Sequence, residues 1–517
     1  MSQRNRRAFL ADVGRGVVAG SLGASLAADL GFSTAFADQG TERLNFGTLE
    51  PLVGLMQETP PARLVPAVVE RLRQGTPLRD VVAAAAYANA RTFGGEDYVG
   101  FHTMMAIPAA YQMATELPEA RRAMPVLKVL FRNANRIQEQ GGPRNEVLRP
   151  VQATPLPAGR PGPEALREAC RARDVNRAEG LFATLASSSA ADALNSALVA
   201  LEDGADVHRV VLPYRAWDLM GIIGREHAHT LLRQSIRYNI RQESPGYVQH
   251  VSSIRALVPR LLDQHRLPGR ALGTRAADDA WIERMSDTIF RGTPEQAAEA
   301  AAAALAEGMN PDAIGEAFCL AANQLVLRDN GRTQAQASPA KPVGSVHGDS
   351  IGVHGCDSAN AWRNLAAAAN PRNKAVCLIL GAWQVARDRG SPAFANQQPY
   401  PREDAQAAVR DLGRDVLVRT LDDAIKANDQ ARAAAVTARY VQLDMPVRPV
   451  WDLLLGYAIS EDGALHAEKY YRTAVAEYAA SRPAFRSRQL IALARVTASA
   501  HGHAAPGHSD ACRLLGV

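Results

Sequence analysis

Residues 311–327 read PDAIGEAFCLAANQLVL, a run of small and apolar residues that opens with proline and aspartate. Its apolar residues recur at helical spacing, and Pro311 occupies a first-turn position, where its missing N–H removes no hydrogen bond. Segments of the same kind occur at residues 77–91, 206–220 and 429–443. Because runs of alternating polarity are few, the sequence predicts an all-α protein.

Each of these segments is the second helix of a predicted four-helix module, repeated four times. A helix with an acidic or polar end precedes it, and a helix that opens with histidine follows. A fourth helix closes each module, beginning near residues 116, 247, 373 and 484. Stacked modules bury apolar faces against one another, which predicts a solenoid or a closed pseudo-symmetric α-array. The predicted modules occupy residues 38–150, 151–270, 271–392 (with a Gly/Pro-rich insert) and 393–517.

Length and composition limit the class of protein. The chain has 517 residues, of which 47% are apolar and 21% charged, so several folded units are expected and a disordered chain is excluded. Lys and Arg exceed Asp and Glu by only five, 58 against 53, which does not indicate a nucleic-acid-binding surface. The five cysteines contain no CxxC pair, so neither a thiolate zinc site nor an iron–sulfur cluster is expected.

The first 37 residues resemble a twin-arginine signal peptide. Arg6 and Arg7 precede Phe9 and Leu10, a mildly apolar run and an Ala-x-Ala cleavage pattern that ends at Ala37. The apolar run is too short and Gly-rich for a stable span, so no membrane anchor is expected after cleavage. We therefore expect the twin-arginine translocase as a partner and a periplasmic or secreted product. This route carries folded proteins, which favours a bound cofactor.

Histidine opens the third helix of every predicted module, with acidic residues just before it. Neutral imidazoles and carboxylates are ligands of divalent transition metals, and side chains from equivalent helices can converge on one site. A Gly-rich segment also separates His347 from His354 and would let both imidazoles face one ion. The alternative is that each histidine caps or packs its own helix. The predicted metal ligands are His102, His229, His354, His466 and His347, and the predicted ligands or proton carriers are Glu96, Glu226 and Asp349.

The third helices of the first two modules share a motif. Residues 102–111 read HTMMAIPAAY and residues 229–238 read HTLLRQSIRY. A histidine followed by aliphatic residues and an aromatic, once per helical module, resembles the questin-oxidase-like proteins. The resemblance implies oxygen-dependent oxidation of an organic small molecule, with His102, His229, His354 and His466 at a shared site.

These patterns leave three functions open. The first is an exported, metal-dependent oxidoreductase that acts on a small organic molecule. Iron is the first choice of metal, because imidazole and carboxylate ligands with open positions suit oxygen activation, and copper and zinc are alternatives. The second is a non-catalytic helical scaffold that binds a partner. The third is a serine hydrolase, since residues 348–352 fit GxSxG around Ser350, although no strand is expected before it.

Overall fold

A computed structural model describes residues 43–517. The all-α prediction is confirmed, because these residues form helices and no β-strand. The predicted signal peptide lies outside the described residues. None of the described helices combines the length and apolar character that crossing a bilayer requires.

The described residues form twenty-three α-helices. The first eleven are α1 (Glu50–Glu58), α2 (Pro61–Arg73), α3 (Leu78–Phe93), α4 (Tyr98–Thr115), α5 (Met124–Glu139), α6 (Gly162–Arg171), α7 (Val175–Leu185), α8 (Ala190–Leu201), α9 (Val207–Ile223), α10 (Ala228–Gln242) and α11 (Pro245–Gln264). The others are α12 (Asp279–Arg291), α13 (Pro294–Ala306), α14 (Pro311–Leu327), α15 (Ile351–Ala368), α16 (Pro371–Arg389), α17 (Glu403–Val409), α18 (Leu417–Lys426), α19 (Gln430–Gln442), α20 (Arg448–Ser460), α21 (His466–Ala480), α22 (Pro483–Ala500) and α23 (His508–Leu515).

Most helices of the predicted modules lie where the sequence places them. The helix predicted over residues 311–327 matches α14 at both ends. Two starts were wrong: the helix expected from residue 116 begins at Met124, as α5, and the helix expected to open at His102 begins one turn earlier, at Tyr98, as α4. Pro118 disfavours helical backbone at the residue before it, and a short 3-10 turn at Glu119–Arg121 intervenes.

The described chain forms two compact units. The first unit contains residues 43–104 with Asn133–Asp203 and Arg215–Ser252, and the second contains Met105–Arg132, Gly204–Tyr214 and Ser253–Val517. The four module boundaries stay a prediction.

The first unit is held partly by a buried arginine. α1 packs on α3, and α10 packs on α7 and α8. Arg91 of α3 is fully buried and donates 2.7 Å hydrogen bonds to the Leu44 carbonyl and the Glu50 carboxylate. Because a buried charge is tolerated only with such partners, Arg91 fixes the chain before α1 against α3.

The core of the second unit is built around α14, α15 and α16, which pack on one another. α15 approaches α14 closely because glycine stands at the crossing. A Cβ built on Gly355 would lie 2.4 Å from Leu325 Cδ1, and one on Gly352 would lie 2.7 Å from Val326 Cγ2. Gly352 and Gly355 are therefore helix-packing residues inside α15.

α21 packs on α15, α20 and α22 in the same unit. The two residues before it, Ala464 and Leu465, have φ values of +48° and +68°. Left-handed backbone costs a non-glycine residue about 1 kcal/mol or more. This costly turn fixes where α21 begins, and its first residue is His466.

Candidate metal centre

Two of the predicted ligands face each other inside the second unit. His354, in the first turn of α15, and His466, at the start of α21, have Nε2 atoms 3.0 Å apart. Two nitrogens bound to one ion at about 2.1 Å, with an angle of 90–109°, lie roughly 3.0–3.4 Å apart. The separation therefore fits two ligands of one ion, and it equally fits a direct hydrogen bond between the rings.

The hydrogen bonds of His466 decide which nitrogen carries its lone pair. His466 Nδ1 lies 3.0 Å from the carbonyl oxygen of Ala464. A carbonyl only accepts, so Nδ1 carries the proton and the Nε2 lone pair points at His354. A ring N–H donated to a backbone carbonyl is the usual second-shell contact of a metal-binding histidine.

Burial keeps His354 neutral. Burial, with smaller contributions from Lys469 and His208, lowers the pKa of His354 to about 3. An imidazole with so low a pKa is unprotonated at neutral pH, so its lone pair is available to a metal.

His208 is a further histidine of this site that the sequence reasoning missed. Its ring centroid lies 5.6 Å from that of His354, edge to face. Burial lowers the pKa of His208 to about 4, against the opposing effect of Asp206. His208 begins a second helix of its module rather than a third, so the repeated histidine motif did not include it. The local signal was Asp206, whose carboxylate accepts the backbone N–H of His208 at 2.9 Å.

His102, a further predicted ligand, lies in the first unit. It is buried, and its Nδ1 donates to the Tyr98 carbonyl at 2.7 Å, as His466 Nδ1 does to the Ala464 carbonyl in the second unit. The candidate metal site of the second unit is therefore the His354–His466 pair.

The other two predicted ligands have different surroundings. His229 is fully buried in the first unit, with its ring stacked on Phe182 at a centroid distance of 5.5 Å. His347 places Nδ1 2.9 Å from Ser499 Oγ and Nε2 3.0 Å from the Ala340 carbonyl. Since Nε2 must donate to the carbonyl, Nδ1 accepts from the Ser499 hydroxyl, and both nitrogens of His347 are already used.

The predicted acidic residues are paired with arginine and lysine or exposed. Glu96 accepts a 2.7 Å hydrogen bond from Arg237. Asp349 lies 2.5 Å from Arg332 and 2.8 Å from Lys341. Burial is the largest single effect on Asp349 and raises its pKa, but the two cations together outweigh burial and lower the pKa. Glu226 is exposed. The ligand set in the described residues is therefore made of imidazoles alone.

Ser350 has a structural role. It is the N-cap of α15, where its Oγ accepts from the Val353 N–H at 3.4 Å and donates to the Val346 carbonyl at 2.6 Å. The residues before it form an irregular loop rather than the strand that a GxSxG elbow needs. The cap accounts for this serine without a catalytic role.

A small cavity lies beside the histidine pair in the second unit. Its volume is about 30 Å³, room for roughly two water molecules. His466 lines it, as does Val353, the residue before His354. The site therefore has space for a small ligand but not, in this conformation, for an organic substrate.

Comparison of the chain with protein-family models, with curated proteins and with solved structures finds no match. The fold and the site define an all-α protein with a candidate metal centre at the His354–His466 pair.

Proposed function

We propose that this protein is an exported, metal-dependent oxidoreductase whose ion is held by His354 and His466, with His208 beside them. The observation that carries the proposal is the pair of Nε2 atoms at 3.0 Å, with the His466 lone pair fixed toward His354 by the Ala464 carbonyl. Neutral imidazoles whose other nitrogen is anchored to backbone form a prepared metal site.

The ligand set narrows the choice of metal. Imidazole suits iron, copper, zinc and nickel. Zinc has no redox chemistry of its own, so a metal that itself activates oxygen at this position would be iron or copper. Iron stays the proposed metal, because a site with few protein ligands leaves open positions where oxygen is activated. The resemblance of residues 102–111 and 229–238 to questin-oxidase-like proteins supports an oxygen-using reaction on a small organic molecule.

A second candidate function is a non-catalytic helical scaffold. It is supported by the same 3.0 Å distance, because a proton on His354 Nε2 donated to the lone pair of His466 makes a sound hydrogen bond between α15 and α21. In a scaffold this pair would only join two helices.

Metal analysis of the purified mature protein separates the two functions. The oxidoreductase predicts about one transition-metal ion per chain, lost in His354→Gln and in His466→Gln. His347→Gln is the matched control, because His347 is also buried but has both nitrogens bonded to protein. Metal-free protein whose His354→Gln variant only unfolds more easily would establish the scaffold.

The proposed export is tested independently of the metal. Replacing Arg6 and Arg7 by lysine removes the arginine pair while keeping the charge. We expect the wild-type protein in the periplasm or medium and the double variant in the cytoplasm, by cell fractionation. Equal distribution of the two proteins would refute the twin-arginine route.

A further inference from the structure

The cavity beside His466 runs between a partly exposed side and a buried side. Tyr457, Glu461 and Thr497 line it and are half-buried. His466 and Tyr470 line it and are buried. The cavity therefore extends from near the surface toward the histidine pair.

The wall of this cavity is mostly apolar. Val353, Ala458, Leu493 and Val496 contribute to it. A water molecule in a buried site needs two to four polar partners, whereas apolar cavities hold apolar guests such as xenon. The wall therefore favours a small apolar molecule over water.

One hydroxyl in the wall has only a weak partner in the protein. The hydroxyl of Tyr457 donates to Asp422 at 2.6 Å, and both nitrogens of His347 are bonded. The Tyr470 hydroxyl is buried and interacts with the Cys356 thiol, a weak acceptor, and it makes no other hydrogen bond within the described residues. Leaving a buried hydroxyl without a strong partner costs up to about 1–3 kcal/mol, so Tyr470 is suited to donate to a guest.

We infer that this cavity admits and holds dioxygen for the proposed metal centre, with the Tyr470 hydroxyl as the hydrogen-bond donor to it. The inference rests on the proposed function. It rests on three features together: a volume of about 30 Å³, a mostly apolar wall that includes His466 and the residue before His354, and a buried hydroxyl whose partner is a thiol. Tyr470 lies one helical turn after His466 on α21, so both side chains lie on one face of that helix.

Xenon tests the cavity without any metal. We expect one xenon atom beside Tyr470 in crystals of the mature protein under xenon pressure. Ala500→Leu puts a larger side chain into the wall at a half-buried position, which makes failure to fold improbable. We expect it to exclude xenon, whereas Ala476→Leu, at a half-buried alanine outside the wall, leaves xenon bound. No xenon in the wild-type cavity would overturn the inference.

Oxidation of the ferrous-loaded protein tests the role of the cavity. One electron passes from each ferrous ion to one dioxygen, which gives a ferric ion and superoxide, and the absorbance change is followed by stopped flow. We expect Ala500→Leu to oxidise about tenfold more slowly than Ala476→Leu at equal iron content. We expect Tyr470→Phe to keep xenon yet oxidise about tenfold more slowly, because it loses only the donor. Wild-type rates in both variants would overturn the inference.

The two proposals fail in different ways. Wild-type protein that binds xenon but no transition metal would refute the oxidoreductase and with it the oxygen role, while showing that the cavity accepts gas. Protein that binds iron but oxidises at equal rates in Ala500→Leu and Ala476→Leu would keep the metal centre and refute the cavity's role.

Discussion

His347 and His354 lie seven residues apart in sequence and both are largely removed from solvent, yet their nitrogens have different partners. Both ring nitrogens of His347 are hydrogen-bonded, one to Ser499 and one to the Ala340 carbonyl. In contrast, Nε2 of His354 faces a second imidazole, that of His466. Sequence proximity and burial are therefore poor guides to a ligand. The useful distinction is whether the protein already occupies both nitrogens.

The largest expected effect concerns metal binding to the His354 region. An ion present at about 1,000 times its dissociation constant stabilises the folded state by about 4 kcal/mol. Ferrous or zinc salt should raise the thermal midpoint of wild-type and His347→Gln protein, and a chelator should reverse it. His354→Gln should show no shift, as measured by differential scanning calorimetry. An equal rise of the thermal midpoint in all three proteins would mean that the ion binds at a site that does not include His354.

The second prediction concerns pH in the metal-free protein. The folded-state pKa values of His354 and His208 are about 3 and 4, below the unfolded value near 6.5. The unfolded chain therefore takes up protons first, so stability falls as pH drops below about 6.5 and stops falling near pH 3–4. Between pH 6.5 and 5, each of the two histidines lowers the free energy of unfolding by up to about 2 kcal/mol. Urea unfolding at a series of pH values should show this fall in the free energy of unfolding, and the fall should be smaller in His354→Gln than in the wild-type protein. A flat profile would contradict the burial argument.

The third prediction concerns the His347 region. Ser499 Oγ also accepts the Val346 backbone N–H at 2.8 Å. Ser499→Ala leaves that N–H and the His347 Nδ1 without a partner, which should cost about 1–3 kcal/mol in urea unfolding. Metal content should not change. Loss of metal in Ser499→Ala would mean that the two regions are coupled.

The smallest effect is expected at Asp349, a predicted ligand or proton carrier. Its carboxylate pairs with Arg332 and Lys341 and its side chain is 41% exposed. Asp349→Asn should therefore cost less than about 1 kcal/mol and leave the metal content unchanged. A large loss of metal in this variant would restore Asp349 to the ligand set.

Much of the fold could be predicted from the sequence, because helix signals are local. Most helix positions could be predicted from the spacing of the apolar residues and from first-turn residues such as Pro311. Two predicted helix starts were wrong. Pro118 interrupts the helix expected from residue 116, which begins only at Met124, and α4 begins at Tyr98, one turn before His102.

The site was only partly predictable, because its decisive contacts join distant residues. The repeated motif pointed to His354 and His466, which lie 112 residues apart. The bonds that occupy His347 come in part from Ser499, 152 residues away, and the arginine that engages Glu96 is 141 residues away. No local pattern reveals such partners.

X-ray absorption spectroscopy of the iron-loaded protein tests the central claim most directly. The account predicts at least two imidazole nitrogens near 2.0–2.2 Å from the ion, with the outer-shell scattering of the rings, and a lower imidazole count in His466→Gln. An iron-free protein, or an ion bound without imidazole scattering, would contradict it.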